Sequence, residues 1–364
     1  MQDRKWMRRA IALARLGEGH TRPNPPVGAV VVKNGRKLGE GRHCRAGLAH
    51  AEVEALNACR GPVKGATMYV TLEPCSTHGR TPPCTDRILE AGIARVAVGC
   101  HDPNARHRGR GIAVLAARGV EVTDGVLEAE ARELILPFAK HITTGTPFLS
   151  VKLAMTLDGR IADRKHQAKW ITGETARAEV QRMRKRADAV MVGAGTVCAD
   201  DPSLLCRLPD SGDLIRVVVD ATGRTPAGAR VYTDSAADRT IVATTARGAA
   251  RKGKAWTRRG ARVWTFAPDS TGRVPLRKLM KKLGREGYLH VLCEGGGTLA
   301  GGLNDAGLVD EFAIFYAPAV LGDARAVSGL AGQGSLLSRM TRGKIASVRH
   351  FGEDLLICLR PERI

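Results

Sequence analysis

Two α/β domains in series are what this sequence predicts, and three observations carry the prediction. Short β-branched runs alternate with amphipathic stretches along the chain, the pattern of layered α/β domains. At 364 residues and 43% hydrophobic content the chain can bury two cores. Between the halves lies Thr143-Thr144-Gly145-Thr146-Pro147, a polar breaker run without helical periodicity, which sets the expected domains at 1–145 and 146–364.

The first domain opens with a helix over 3–16. Strands at 27–33 and 37–43 flank Asn34-Gly35, a strong two-residue hairpin signal. A helix carrying His50 and Glu52 runs to Ala58, a strand follows at 67–72, and Cys84 starts a helical run that Gly92 closes. A strand at 95–99, a helix near 111–118, a strand at 120–124 and a helix over 128–142 complete this half. The second half reads as a strand at 148–155, a helix over 174–186, and a strand at 189–192 entering the turn Gly193-Ala194-Gly195-Thr196. The stretch 204–213 is a loop. Strands follow at 216–220, 240–244 and 261–266, and another at 288–293 runs into Gly295-Gly296-Gly297, which opens a helix over 298–305. Strand, glycine turn and helix N-terminus leave bare N–H groups at the positive end of a dipole, a cradle for phosphate. Such turns also serve packing alone.

The chemistry is concentrated in His50-Ala51-Glu52, then Glu73-Pro74-Cys75, then Cys84. One imidazole and two thiolates make three ligands for a Zn²⁺ that prefers four. A structural zinc closes its tetrahedron with protein, whereas a catalytic one leaves a position for water, whose pKa the metal lowers. Glu52, two residues from His50, is placed to carry protons. This order is that of the zinc-dependent nucleobase deaminases. Those acting on polynucleotides carry P-C-x-x-C, but here eight residues separate the cysteines. Gly79, Pro82 and Pro83 make that stretch a loop that leaves and returns, and it carries His78 and Arg80 to the rim, where a phosphorylated substrate would meet them. Nine scattered cysteines, two of them assigned to metal, fit reduced thiols in a cytoplasmic protein.

A net charge of +21 invites a nucleic-acid reading, and its distribution opposes one. Residues 1–145 hold 22 basic and 14 acidic side chains and the remainder 35 and 22, so the excess is diffuse. The runs at 182–186 and 277–285 read as solvated helix faces. No apolar run approaches a membrane span, and the first residues lack the apolar core of a secretory signal. The expected partners are a phosphorylated small molecule and further copies of the chain, with neither nucleic acid nor membrane.

Pro23-Asn24-Pro25-Pro26-Val27-Gly28, His50-Ala51-Glu52 and the 75–84 loop together resemble the bifunctional riboflavin biosynthesis family, which joins a pyrimidine deaminase to a pyrimidine reductase. The resemblance continues at Val151-Lys152-Leu153-Ala154, Leu157-Asp158-Gly159-Arg160, Trp170-Ile171-Thr172, Ala199-Asp200-Asp201-Pro202 and Glu294-Gly295-Gly296-Gly297-Thr298-Leu299. It implies an N-terminal three-layer α/β/α domain like cytidine deaminase and a C-terminal α/β domain like dihydrofolate reductase, with one Zn²⁺ per chain and NADPH. It implies that the first domain removes the 2-amino group of 2,5-diamino-6-ribosylamino-4(3H)-pyrimidinone 5′-phosphate, and that the second reduces the ribosyl group of the product. Zinc falls to His50, Cys75 and Cys84, and proton transfer to Glu52. Asn24, His43, Arg80 and Asn104 are the implied substrate contacts of the first site. For the second site the resemblance implies NADPH contacts from Ala154, Trp170, Thr196, Asp200, Gly295, Gly296, Gly297 and Thr298. Substrate falls there to Lys152, Ala168, Arg184, Leu204, Arg207 and Glu294. The chain departs from the family pattern at Thr77, where His is usual, and at Ala168, where Ser is usual.

Overall fold

The computed structural model describes residues 2–79 and 82–362. The chain forms two compact units, Met1–Thr146 and Pro147–Ile364. In the first, α1 (Gln2–Arg15) leads to the hairpin β1 (Gly28–Lys33) and β2 (Arg36–Arg42), then α2 (Ala51–Asn57), β3 (Thr67–Leu72), α3 (Cys84–Glu90), β4 (Arg95–Cys100), α4 (Arg110–Ala117), β5 (Glu121–Thr123), α5 (Glu128–Leu134) and α6 (Leu136–Thr144). The sheet order is β2-β1-β3-β4-β5, with β1 antiparallel to both neighbours and β3, β4 and β5 parallel. Alternation along β1 sorts the core. Val30 and Val32 face Met7, Ile11 and Ala14 of α1 with Ala131 of α5, while Ala29 and Val31 face Ala51 and Ala55 of α2, Ile88 of α3 and Leu115 of α4. Three layers result, as the sequence led us to expect.

Two expectations need correction here. The single helix over 128–142 is broken at Ile135, because Pro137 cannot donate in mid-helix and instead sits in the first turn of α6. The breaker run is also shorter than read, since α6 continues through Thr144 and ends on Gly145 at φ 69°.

The second unit comprises β6 (Phe148–Thr156), β7 (Arg160–Ala162), α7 (Glu174–Arg186), β8 (Ala189–Gly193), α8 (Ala194–Asp200), β9 (Ile215–Val219), α9 (Arg230–Thr233), β10 (Thr240–Thr245), α10 (Ala246–Gly248), α11 (Lys254–Arg258), β11 (Arg262–Phe266), α12 (Leu276–Arg285), β12 (His290–Cys293), α13 (Gly297–Asp305), β13 (Glu311–Ala317), β14 (Val327–Ser328), β15 (Gly343–Phe351) and β16 (Asp354–Pro361). Nine strands run in the order β11-β10-β9-β8-β12-β6-β13-β16-β15, parallel from β11 to β13, with β16 antiparallel to both β13 and β15. Leu149, Val151, Leu153 and Met155 of β6 pack with α12 and α13 on one face. Val190 and Val192 of β8 pack with α7, Val197, Tyr232 and Trp256 on the other. The 193–196 turn proves to be the first turn of α8, capped at Gly193. The closing strands β13, β15 and β16 were not among the expected elements. Among the described residues no helix is long and apolar enough to cross a membrane.

Candidate metal centre and candidate cofactor cleft

In the first unit, His50 is the N-cap of α2 and Cys84 the first residue of α3, so two helix starts converge where β3 delivers Cys75. The Nδ1 of His50 lies 3.2 Å from Cys84 Sγ and 3.5 Å from Cys75 Sγ, and the backbone N–H of Cys84 donates to Cys75 Sγ at 3.3 Å. The three donor atoms all lie within 4.8 Å of one another. A tetrahedral zinc with ordinary Zn–N and Zn–S bonds spaces nitrogen and sulfur by about 3.5 Å, so the donor set fits that ion. A hydrogen bond from Cys84 holds the Cys75 sulfur well below the ordinary thiol range, against burial and with help from His50.

Glu52 is 3% exposed and stands outside the ligand trio. Burial raises its carboxyl to about 7, with the Cys75 charge adding to the effect. That is the range a proton carrier at neutral pH needs. His43 is buried and stands edge-on to His50, ring centres 5.3 Å apart. Burial lowers its pKa, which favours the neutral ring. Its Nδ1 is 3.0 Å from the Ala49 carbonyl and its Nε2 3.0 Å from Asn24 Nδ2. A neutral ring donating to Ala49 therefore accepts from Asn24 and fixes which way that amide points. Asn104 lies in a turn, its Oδ1 accepting the Arg106 N–H at 3.1 Å. His78 is exposed, and Arg80 lies outside the described residues.

The second unit holds a cleft of ≈ 2240 Å³. Lys152, Ala154, Ala168, Trp170, Arg184, Thr196, Asp200, Leu204, Arg207, Glu294, Gly296, Gly297 and Thr298 all line it; Gly295 does not. Gly295 shapes the turn instead, at φ 94°, with its carbonyl accepting from Gly193 N–H. The cleft runs past the open N-terminus of α13, whose cap, Gly296, offers no side-chain hydrogen bond, so its first N–H groups are suited to a phosphate. On the floor Arg184 grips Glu294 through two hydrogen bonds of 2.5 and 2.8 Å and donates to the Leu205 carbonyl at 2.9 Å. Burial raises the Glu294 carboxyl, and Arg184 with Lys152 more than reverses this. Burial lowers Lys152, partly offset by Glu294. Trp170 is 71% exposed, which excludes a core role. The Arg177 guanidinium lies over its ring, 4.6 Å from the centre, and donates to the Thr172 carbonyl.

Two residues here escaped the sequence reading. Arg177, in the helix over 174–186, carries no local signal that sets it beside Trp170. Glu73 had a signal, an acid at a strand end directly before a ligand; its buried carboxylate gathers the N–H groups of Asp102, Gly109 and Gly111.

The fold and these sites define a zinc deaminase module followed by a nucleotide-dependent reductase module. Comparison with known proteins agrees: residues 1–100 match the cytidine and deoxycytidylate deaminase zinc-binding region, and residues 147–357 match the RibD C-terminal domain. Riboflavin biosynthesis protein RibD of Bacillus amyloliquefaciens is 40% identical over 98% of this chain and 96% of its own, and that of Escherichia coli K12 is 40% identical over 99% of each. Among solved structures, Acinetobacter baumannii RibD superposes with a TM-score of 0.87 at 36% identity, covering 100% of this chain and 99% of that one. The Thermotoga maritima diaminohydroxyphosphoribosylaminopyrimidine deaminase/5-amino-6-(5-phosphoribosylamino)uracil reductase gives 0.87 at 37% identity, covering 99% of each. The chain belongs to the RibD family of riboflavin biosynthesis proteins. It is a bifunctional deaminase and reductase whose cofactors are Zn²⁺ and NADPH.

Proposed function

We propose that residues 1–145 deaminate 2,5-diamino-6-ribosylamino-4(3H)-pyrimidinone 5′-phosphate and that residues 146–364 reduce the ribosyl group of the resulting 5-amino-6-(5-phosphoribosylamino)uracil. The observation that carries the first half is Glu52 buried beside, but not within, the His50–Cys75–Cys84 trio. Zinc held by that trio supplies an activated water at neutral pH. Glu52 takes a proton from the attacking water and returns it to the departing amino nitrogen. Asn24, oriented through His43, together with Arg80 and Asn104 holds the pyrimidine phosphate. In the second half, bound NADPH supplies the hydride. Gly296, Gly297 and Thr298 hold its phosphates at the start of α13, while Gly295 shapes their turn. Ala154, Trp170, Thr196 and Asp200 line its path. Lys152, Ala168, Arg184, Leu204, Arg207 and Glu294 meet the substrate, with the Arg184–Glu294 pair keeping the floor charged and rigid. The protein works in the cytoplasm as a homo-oligomer and takes no nucleic acid, in keeping with its diffuse charge.

The test uses the full chain and two substrates in turn. A zinc chelator should abolish deamination of the diaminopyrimidine phosphate and leave NADPH-dependent reduction of the deaminated compound intact. Loss of both activities on chelation, or of neither, would overturn the division of labour.

A further inference from the structure

Glu73 is 6% exposed and belongs to neither the ligand trio nor the proton path. It follows β3 and directly precedes Pro74-Cys75. Its Oε2 accepts the N–H of Asp102 at 3.2 Å and of Gly109 at 2.9 Å, and its Oε1 accepts that of Gly111 at 2.9 Å. Gly109 is the N-cap of α4 and has no side chain to cap with, and the first turn of α4 carries no acidic residue. An anion arriving from the end of β3 therefore supplies both the missing cap and the charge that favours a helix start.

Between these anchors the loop is tied to itself. Asn104 N–H donates to Asp102 Oδ1 at 2.8 Å, Arg106 N–H to Asn104 Oδ1 at 3.1 Å, and the N–H groups of His107 and Arg108 to the Asn104 carbonyl at 2.9 and 3.0 Å. Residues 102–109 thus hang as one body, both ends on a single carboxylate. The same junction is closed sterically, because a Cβ on Gly111 would stand 2.0 Å from the Pro74 carbonyl oxygen.

We infer that Glu73 is a positioning residue for deamination. It locks the loop bearing Asn104 to the strand end that delivers Cys75, so that it governs substrate affinity while leaving zinc and proton transfer alone. This rests on the reading that Asn104 contacts the pyrimidine.

Glu73→Gln keeps the shape but turns an NH₂ either toward the Gly111 N–H, freeing the start of α4, or toward the Asp102 and Gly109 N–H groups together, releasing both ends of the loop. In the full-length enzyme the deaminase KM should rise by about tenfold, the scale of one lost hydrogen bond to a charged group. The kcat should stay within about threefold, since the general acid–base contribution, about 10²–10⁴, stays with Glu52. Zinc should remain at one per chain, and reduction of the deaminated substrate should not change. Asn104→Ala should also raise KM, and the double variant should be no worse than the worse single, because both act through one loop. Gly111→Ala, which forces the same junction from the other side, should reproduce the KM-only signature, and it replaces Glu73→Gln if that variant does not fold. A fall in kcat at unchanged KM, a loss of zinc, or KM effects that multiply in the double variant would each overturn the inference. If Asn104→Ala raises KM and Glu73→Gln does not, this inference alone fails. If Asn104→Ala leaves KM unchanged, the assignment of Asn104 fails first.

Discussion

Gly297→Ala tests the cofactor cleft through a single methyl group. Gly297 is the first residue of α13, and a Cβ there would stand 2.2 Å from the Ser328 carbonyl oxygen, 3.3 Å from the Ser328 carbonyl carbon and 3.4 Å from the Gly329 oxygen. All three are backbone atoms, so no rotamer change relieves the clash. Helix and segment must separate by about 0.8 Å before the contact reaches even 3.0 Å. They are also joined by the Ala331 N–H to Gly297 carbonyl bond of 3.0 Å, which resists that separation. Overpacking of this kind costs about 1–3 kcal/mol, or about 2–12 °C in Tm for a unit of this size. A helix start displaced that far loses one or two hydrogen bonds to an anion, so the Kd for NADPH should rise about tenfold to a hundredfold. Titration followed by NADPH fluorescence, with a thermal melt on the same sample, measures both effects. Gly302→Ala, on the same helix, is the control: its Cβ would lie 3.5 Å from Leu276 Cδ1, an ordinary contact with a movable side chain. It should leave NADPH binding within about twofold, since exchanging glycine for alanine in a helix is worth about 1 kcal/mol in stability at most. An unchanged Kd with an unchanged Tm in Gly297→Ala would refute the packing argument. A lowered Tm with unchanged Kd would refute the placement of the phosphates at this helix.

Three further expectations concern other sites. Glu52→Gln should keep one zinc by elemental analysis yet lose deamination by about 10²–10⁴, with reduction of the deaminated substrate unaffected; more than a hundredth of the wild-type deaminase rate would sink the proton-carrier role. Ala168 is half-buried in the cleft wall, so Ala168→Ser should tighten substrate up to about tenfold and barely move the KM for NADPH; the reverse pattern would misplace this wall. Arg95, with Tyr69, holds the Asp3 carboxyl at about 2. A depressed folded pKa gives stability that is present above the ordinary carboxylate range and is lost as pH falls toward about 2. After solvent screening the half-exposed pair is worth about 1 kcal/mol or less. Asp3→Asn should therefore lower Tm slightly at pH 7, with the gap closing between pH 4 and pH 2; a gap that widens on acidification would contradict the assigned shift.

What the sequence by itself determined was whatever is local. His50 and Glu52 share one helix start and Cys84 opens another, so three candidate donors and a neighbouring acid could be read from spacing and residue type. The Asn34-Gly35 turn between β1 and β2 likewise carries its geometry within a few residues. Tertiary structure decided what depends on distant partners. Arg184 reads as one cation among several in α7 until the fold brings it to Glu294, 110 residues away, where two hydrogen bonds keep the pair charged against the opposing effect of burial. Glu73 stands in the Glu-Pro-Cys run without a role of its own until β3 and β4 align and three backbone N–H groups converge on it. Strand β15 gave no alternating signal because it lies at the sheet edge with most of its residues exposed, so no face selected apolar side chains. Periodicity records only burial that recurs along one segment, whereas a buried charge or an edge strand is defined by what another segment places beside it.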